Sequence, residues 1–109
     1  MLVALPQLVI AQDDSKAVRN LAEVGFKCQE AYYPAAARRS GADGRTRLRV
    51  DVSEEGRISS VSVVRPSGQS KEHKLLDQSA VMHVRSCAPK ENSALEAVTF
   101  EYEVVWKLQ

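Results

Sequence analysis

Hydrophobic and polar residues alternate along this chain with two different periods, and the switches between them outline the fold. From Arg45 to Val52 the order RTRLRVDV puts Leu48, Val50 and Val52 on one face and Arg47, Arg49 and Asp51 on the other, which predicts a half-buried strand. SEEG then supplies a turn with Gly56 where a positive φ is needed. RISSVSVVR follows as a second strand with Val61 and Val63 directed inward, stopped by Pro66 and Gly68. Between Lys71 and Cys87 the period lengthens: Leu76, Ala80, Val84 and Cys87 form one stripe of an amphipathic helix, with Pro89 marking its end. The last run, AVTFEYEVVWKL, alternates again. Val98, Phe100, Tyr102, Val104, Trp106 and Leu108 face one way and Thr99, Glu101, Glu103 and Lys107 the other, the clearest strand signal in the chain.

Upstream the signals are weaker. SKAVRNLAEVGF has a loose helical spacing after Ser15, so residues 12–27 read as an N-terminal segment with some helical character. Tyr33, Ala36 and Ala37 fall on one side of a short helix that Pro34 begins and Gly41 and Gly44 end. The order helix, strand, strand, helix, strand predicts an α+β fold, two helices packed on a three-stranded antiparallel sheet. The helix between the second and third strands carries the chain back across the sheet. An antiparallel third strand must then lie beside the first, giving the order 2-1-3 and making the last strand an edge. Edge strands offer unpaired N–H and C=O groups to an extended peptide. The outward row Thr99, Glu101, Glu103, Val105 and Lys107 is therefore the expected partner-binding surface, its two glutamates favouring a peptide with basic residues. The competing expectation is an edge covered by the N-terminal segment or by a second copy of the domain in a homodimer. The opposite edge carries arginines and ends in Pro66, which discourages pairing.

Composition narrows the function. With 15 Lys and Arg against 14 Asp and Glu, the net charge is +1, without the basic excess of a nucleic-acid binder. The cluster Arg38, Arg39, Arg45, Arg47 and Arg49 is interspersed with Asp43 and Asp51 and has few aromatics for base stacking, so it reads as a solvated face. The first twelve residues, MLVALPQLVIAQ, are too short to span a bilayer. They suit the apolar core of a secretory signal, and residues 1–11 are read as a signal remnant cleaved before Gln12, with Val9 and Ala11 as the small residues at the cleavage site. Cys28 and Cys87 fit neither a C-x-x-C motif nor a zinc site, and in an exported chain they read as one structural disulfide; in a cytosolic chain they would be two buried thiols. Closing a loop of about 60 residues is worth about 4 kcal/mol on the chain-entropy account. Ser79 and His83, with Asp77 nearby, invite a hydrolase reading, but there is no G-x-S-x-G elbow, and no enzyme is expected. His73 and His83 sit about 15 Å apart along a helix and about 80° apart around it, so no metal site and no cofactor are expected.

The stretch YPAAARRSGADGRTRLRVDVSEEGRISSVSVVRPSG resembles the C-terminal domain of TonB-type energy transducers. Tyr33, Pro34, Ala37, Gly41, Gly44, Val50, Val52, Gly56, Ser67 and Gly68 fall on that pattern, which continues through Leu76, Asp77 and Ala80 into VRSCAP. The resemblance covers about Cys28 to Leu108, and residues 28–109 are assigned to this domain, with Tyr33, Pro34, Gly44, Gly56 and Gly68 as its structural motif. It implies a periplasmic adaptor without catalysis that grips an extended segment of an outer-membrane receptor. Full transducers add a membrane anchor and a proline-rich spacer, whereas Pro6 is the only proline here ahead of Pro34; beside the Tyr-Pro this chain has Glu30 and Tyr32 in place of glutamines. A stand-alone periplasmic binding or structural module is the second reading.

Overall fold

The computed structural model describes residues 21–89 and 97–108. They form a one-turn helix α1 (Leu21–Val24), a two-residue strand β1 (Phe26–Lys27), a short helix α2 (Ala35–Ser40) and strands β2 (Gly44–Val52) and β3 (Ile58–Arg65). Helix α3 (Lys71–Arg85), a second two-residue strand β4 (Ala88–Pro89) and strand β5 (Val98–Trp106) complete them. The fold is α+β. The main sheet is antiparallel in the order β3-β2-β5, and a separate two-stranded sheet pairs β1 with β4.

Alternation in β2 and β5 does what the pattern requires. Leu48, Val50 and Val52 of β2 and Phe100, Val104 and Trp106 of β5 are buried against Leu76, Ala80 and Val84 of α3 and Ala37 of α2. Each buried Val, Leu or Phe among them contributes roughly 1.5–3 kcal/mol of burial. Ser70 caps α3 by accepting from the His73 N–H at 3.1 Å. The helix stops at Arg85 rather than at Pro89, because its last amide bonds tighten to i→i−3, the Cys87 N–H reaching the Val84 carbonyl at 3.0 Å, and the chain then enters β4. Pro34 sits at the N-cap of α2 with ψ 138°, so the helix starts at Ala35, and Gly41 closes it at φ 78°. Gly44 opens β2 at φ 138°, and a Cβ there would lie 2.6 Å from the Ser67 carbonyl oxygen; only glycine fits under that loop.

The two flanks of β2 differ in regularity. Pairing with β5 runs without a break from Gly44 opposite Trp106 to Val52 opposite Val98. Pairing with β3 slips twice, between Arg47 and Leu48 and between Asp51 and Val52.

Four expectations need correction or completion. Val63 is 38% exposed: it lies at the rim, beside Lys74, Gln78 and Val81 of α3 across an open cleft. Leu108 is also exposed, since β5 ends where β2 begins and residues beyond Trp106 have no partner strand. The β1–β4 pairing was invisible in the pattern, because two residues are too few to show a period. Of the N-terminal segment 12–27 the structure describes residues 21–27, with Leu21–Val24 as helix; the signal remnant, the Gln12 cleavage point and Ser15 lie outside the described residues.

Cys28 and Cys87 are bonded, 59 positions apart in sequence. The register that pairs Phe26 with Pro89 and Lys27 with Ala88 brings Cys28 opposite Cys87 one step further on. The disulfide thus staples the end of the small ribbon.

Candidate functional site

Strand β5 has β2 on one side and, among the described residues, no strand on the other. Its outward row is tied to β2. Thr99 Oγ1 donates to Asp51 Oδ1 at 2.7 Å, Glu101 stands 2.8 Å from Arg47 Nε and 3.8 Å from Arg49, and Glu103 takes Arg45 at 3.3 Å. Asp51 also accepts from Ser60 Oγ, and these two hydroxyl donors, Ser60 first, hold its carboxyl below the usual 3.8. The glutamates expected to favour a basic peptide thus already have arginine partners within the sheet. The register sets Arg49 opposite Glu101 and Arg47 opposite Glu103, so the carboxylates are neutralised by cross-strand partners before any ligand arrives. Val105 is left 47% exposed, and Lys107 is exposed just beyond the strand. Lys107, Arg38, Tyr33 and Leu108 line a cleft of about 280 Å³ at that end.

The extended segment that approaches the Tyr-Pro lies against α3 and meets β5 where Tyr33 packs on Trp106. Three side chains one and two turns apart, two on α3 and one at its C-cap, hold it. Ser79 Oγ donates to the Tyr32 carbonyl, His83 Nδ1 lies 2.6 Å from the Gln29 carbonyl, and Ser86 Oγ accepts from the Gln29 N–H at 3.3 Å. A carbonyl only accepts, so His83 Nδ1 carries a proton; in the neutral ring Nε2 then accepts from the Tyr102 hydroxyl at 3.2 Å. Tyr102 stacks on His83 at 5.9 Å, and burial pushes its phenol pKa up. Ser79 and His83, weighed as nucleophile and base, are thus clamps on a backbone, and Asp77 faces elsewhere. Between the segment and α3 runs a groove of about 520 Å³ lined in part by Tyr32, Pro34, Leu75 and Met82. Tyr33 ends the segment: its hydroxyl donates to the Ala42 carbonyl, its ring meets Trp106 edge-on at 5.3 Å, and Arg38 lies over it.

Beneath the sheet lies a buried polar chain that the hydrophobic pattern did not announce. Trp106 Nε1 donates to Thr46 Oγ1 at 3.0 Å, and Thr46 Oγ1 donates to Asp77 Oδ1 at 2.7 Å. The Ser67 N–H reaches the same oxygen at 2.9 Å. This chain joins β5, β2, α3 and the Ser67–Gly68 loop. Thr46 sits in phase with Leu48 and Val50, so its inward aim was readable from the alternation; the carboxylate meeting it was not. Gly68 packs so close to the His73 ring that a Cβ would lie 2.5 Å from it, and Gly56 adopts φ 79° in the turn between β2 and β3. His73 is itself committed, Nε2 to the Asp43 carbonyl at 3.0 Å and Nδ1 to Ser70 Oγ at 2.8 Å. Among the described residues no group of His, Cys, Asp and Glu is arranged to hold a metal.

The family described as Gram-negative bacterial TonB protein C-terminal matches residues 29–108. The chain belongs to this family. No curated protein and no solved structure matches it significantly. TonB C-terminal domains are protein-interaction domains of the Gram-negative periplasm rather than enzymes. Among the described residues no helix is long and apolar enough to cross a membrane.

Proposed function

We infer that this TonB-type domain works in the periplasm as an adaptor that takes an extended peptide as an additional strand on the free edge of β5. The observation that carries the reading is the unbroken nine-residue ladder between β2 and β5, from Gly44 to Val52 and Val98 to Trp106, with the far side of β5 unpaired among the described residues. A straight edge of that length offers alternate N–H and C=O groups to a partner backbone. The row Thr99, Glu101, Glu103, Val105 and Lys107 borders the added strand on the solvent side. Because Glu101 and Glu103 are paired to arginines, backbone contact supplies most of the affinity, and side-chain selection falls to the end at Val105 and Lys107. There Lys107 and Arg38 favour an acidic residue in the peptide.

The natural source of such a peptide is the periplasm-facing extended segment of an outer-membrane receptor. The mature chain then begins at or near Gln12, after export. Calorimetric titration of the domain with that receptor segment tests the reading. Saturable binding that is lost when the segment carries a central proline is the expected result, and unchanged binding by the proline peptide overturns it.

A further inference from the structure

The two most exposed large apolar side chains among the described residues stand on the same groove. Tyr32 is 69% and Met82 70% exposed, and both line the channel of about 520 Å³ between the approach segment and α3. Pro34 and Leu75 continue its apolar lining. Mostly apolar walls around a volume of that size are what a binding site offers, and exposed apolar side chains gathered in one place mark a contact surface. Both walls are formed in advance. Leu75, Gln78 and Met82 fall three and four positions apart on α3, so they share one face, beside the stripe of Leu76, Ala80 and Val84 that seats the helix in the core. On the opposite wall Ala31 and Tyr33 pack against that core, while Glu30 and Tyr32 are exposed. Ser79, His83 and Ser86 are spent holding the backbone of Gln29 and Tyr32, so the groove stands without a ligand. A preformed site loses little to ordering on binding. Its charge is one-sided: Glu30 is the only Asp, Glu, Lys or Arg that lines it. Unlike Glu101 and Glu103 on β5, Glu30 has no ion-pair partner among the described residues.

We propose that this groove is a second docking surface, which takes from a partner protein a short segment carrying a large apolar side chain next to a Lys or Arg. The apolar side chain lies against Tyr32, Leu75 and Met82, and the cation meets the Glu30 carboxylate, the one charge left unmatched there. From Leu75 to Ser86 the helical rise is about 16 Å, the reach of about five extended residues. The groove shares no residue with the free edge of β5, so the inference stands whether or not a peptide adds there as a strand.

The test uses three capped dipeptides, acetyl-Phe-Lys-methylamide, acetyl-Phe-Gln-methylamide and acetyl-Phe-Glu-methylamide, which are too short to add as a strand. Each is titrated into the labelled full chain at low salt and followed by amide chemical shifts. The shifts are expected at residues 29–34 and 75–86, with the lysine probe binding about two- to fivefold tighter than the glutamine probe and the glutamate probe weakest. Glu30→Gln is expected to bring the lysine and glutamine probes to equal affinity. Tyr32→Ala with Met82→Ala is expected to weaken all three at least about threefold while the midpoint of urea unfolding holds, since both side chains are largely exposed. If that pair lowers the midpoint, Glu30→Gln alone decides. Shifts at residues 98–107 with none along the groove, no shifts at all, equal affinity for the lysine and glutamate probes, or a lysine preference that survives Glu30→Gln overturns the proposal. So does unchanged binding by the folded double variant.

Discussion

The two edges of the main sheet are built on opposite plans. Strand β3 pairs with β2 through two register shifts, carries Arg57 before it and Arg65 at its end, and runs into Pro66. Strand β5 pairs with the same β2 over nine residues without a shift and contains neither proline nor bulge. Bulges, charges and prolines blunt an edge against unwanted pairing, so β3 is protected, whereas β5 carries none of the bulges or prolines and has no second partner strand among the described residues. The buried polar chain reinforces the contrast. It ties Trp106 and Thr46 to Asp77, fixing β5 to β2 and α3 at the end where the open edge finishes. An edge meant to take a strand has to be rigid beforehand, since ordering it on binding would subtract from affinity.

Breaking that comparison starts with the peptide backbone. In a receptor peptide N-methylated at alternate residues, one of the two alternating sets should lose at least about tenfold in affinity and the other should retain binding, because an unsatisfied buried backbone group costs about 1–3 kcal/mol. Titration calorimetry checks this; equal loss from both sets would contradict strand addition. Removal of the anchor comes next. Asp77→Ala strips Thr46 Oγ1 and the Ser67 N–H of their acceptor and should lower unfolding free energy by about 2–3 kcal/mol, with Thr46→Val costing about 1–2 kcal/mol through the stranded Trp106 N–H. Urea denaturation followed by Trp106 fluorescence reads both.

The remaining predictions sharpen the contrast at smaller scale. Ser60→Pro, placed on the protected edge, should change peptide affinity less than about twofold if the midpoint of urea unfolding shows the domain still folded. Glu101→Gln with Glu103→Gln should likewise leave affinity for a lysine-bearing peptide within about twofold, since these carboxylates are already paired to arginines of β2. The smallest effect is acid titration at Asp51. Its folded pKa is depressed below 3.8, so its contribution to stability is present above that value and is lost as pH falls through the folded pKa. Carboxyl NMR should show Asp51 titrating below the usual 3.8, and Ser60→Ala should move it up.

Much of this was legible in the pattern, and the reasons differ by region. Strands β2 and β5 alternate strictly because one face is buried and the other is wet, so their inward residues could be named one by one. Strand β3 alternates less cleanly, and Val63 was misplaced because an edge strand has a neighbour on one side only. The small ribbon was missed because its partners are far apart in sequence and each is two residues long. The glutamates of β5 were correctly set on the outer face. Their charge state toward a ligand was not readable, because it depends on which β2 residue lies opposite, and Arg47 and Arg49 are there. Asp77 is similar: a carboxylate on a helix reads as solvated until a threonine from the sheet is placed against it.

Amide chemical-shift mapping tests the asymmetry of the edges most directly. On adding the extended receptor segment to labelled domain, the largest backbone shifts should fall within residues 98–107, alternate along β5, and leave residues 57–65 nearly unmoved. Shifts concentrated at residues 57–65, with β5 silent, would contradict the assignment of β5 as the receiving edge.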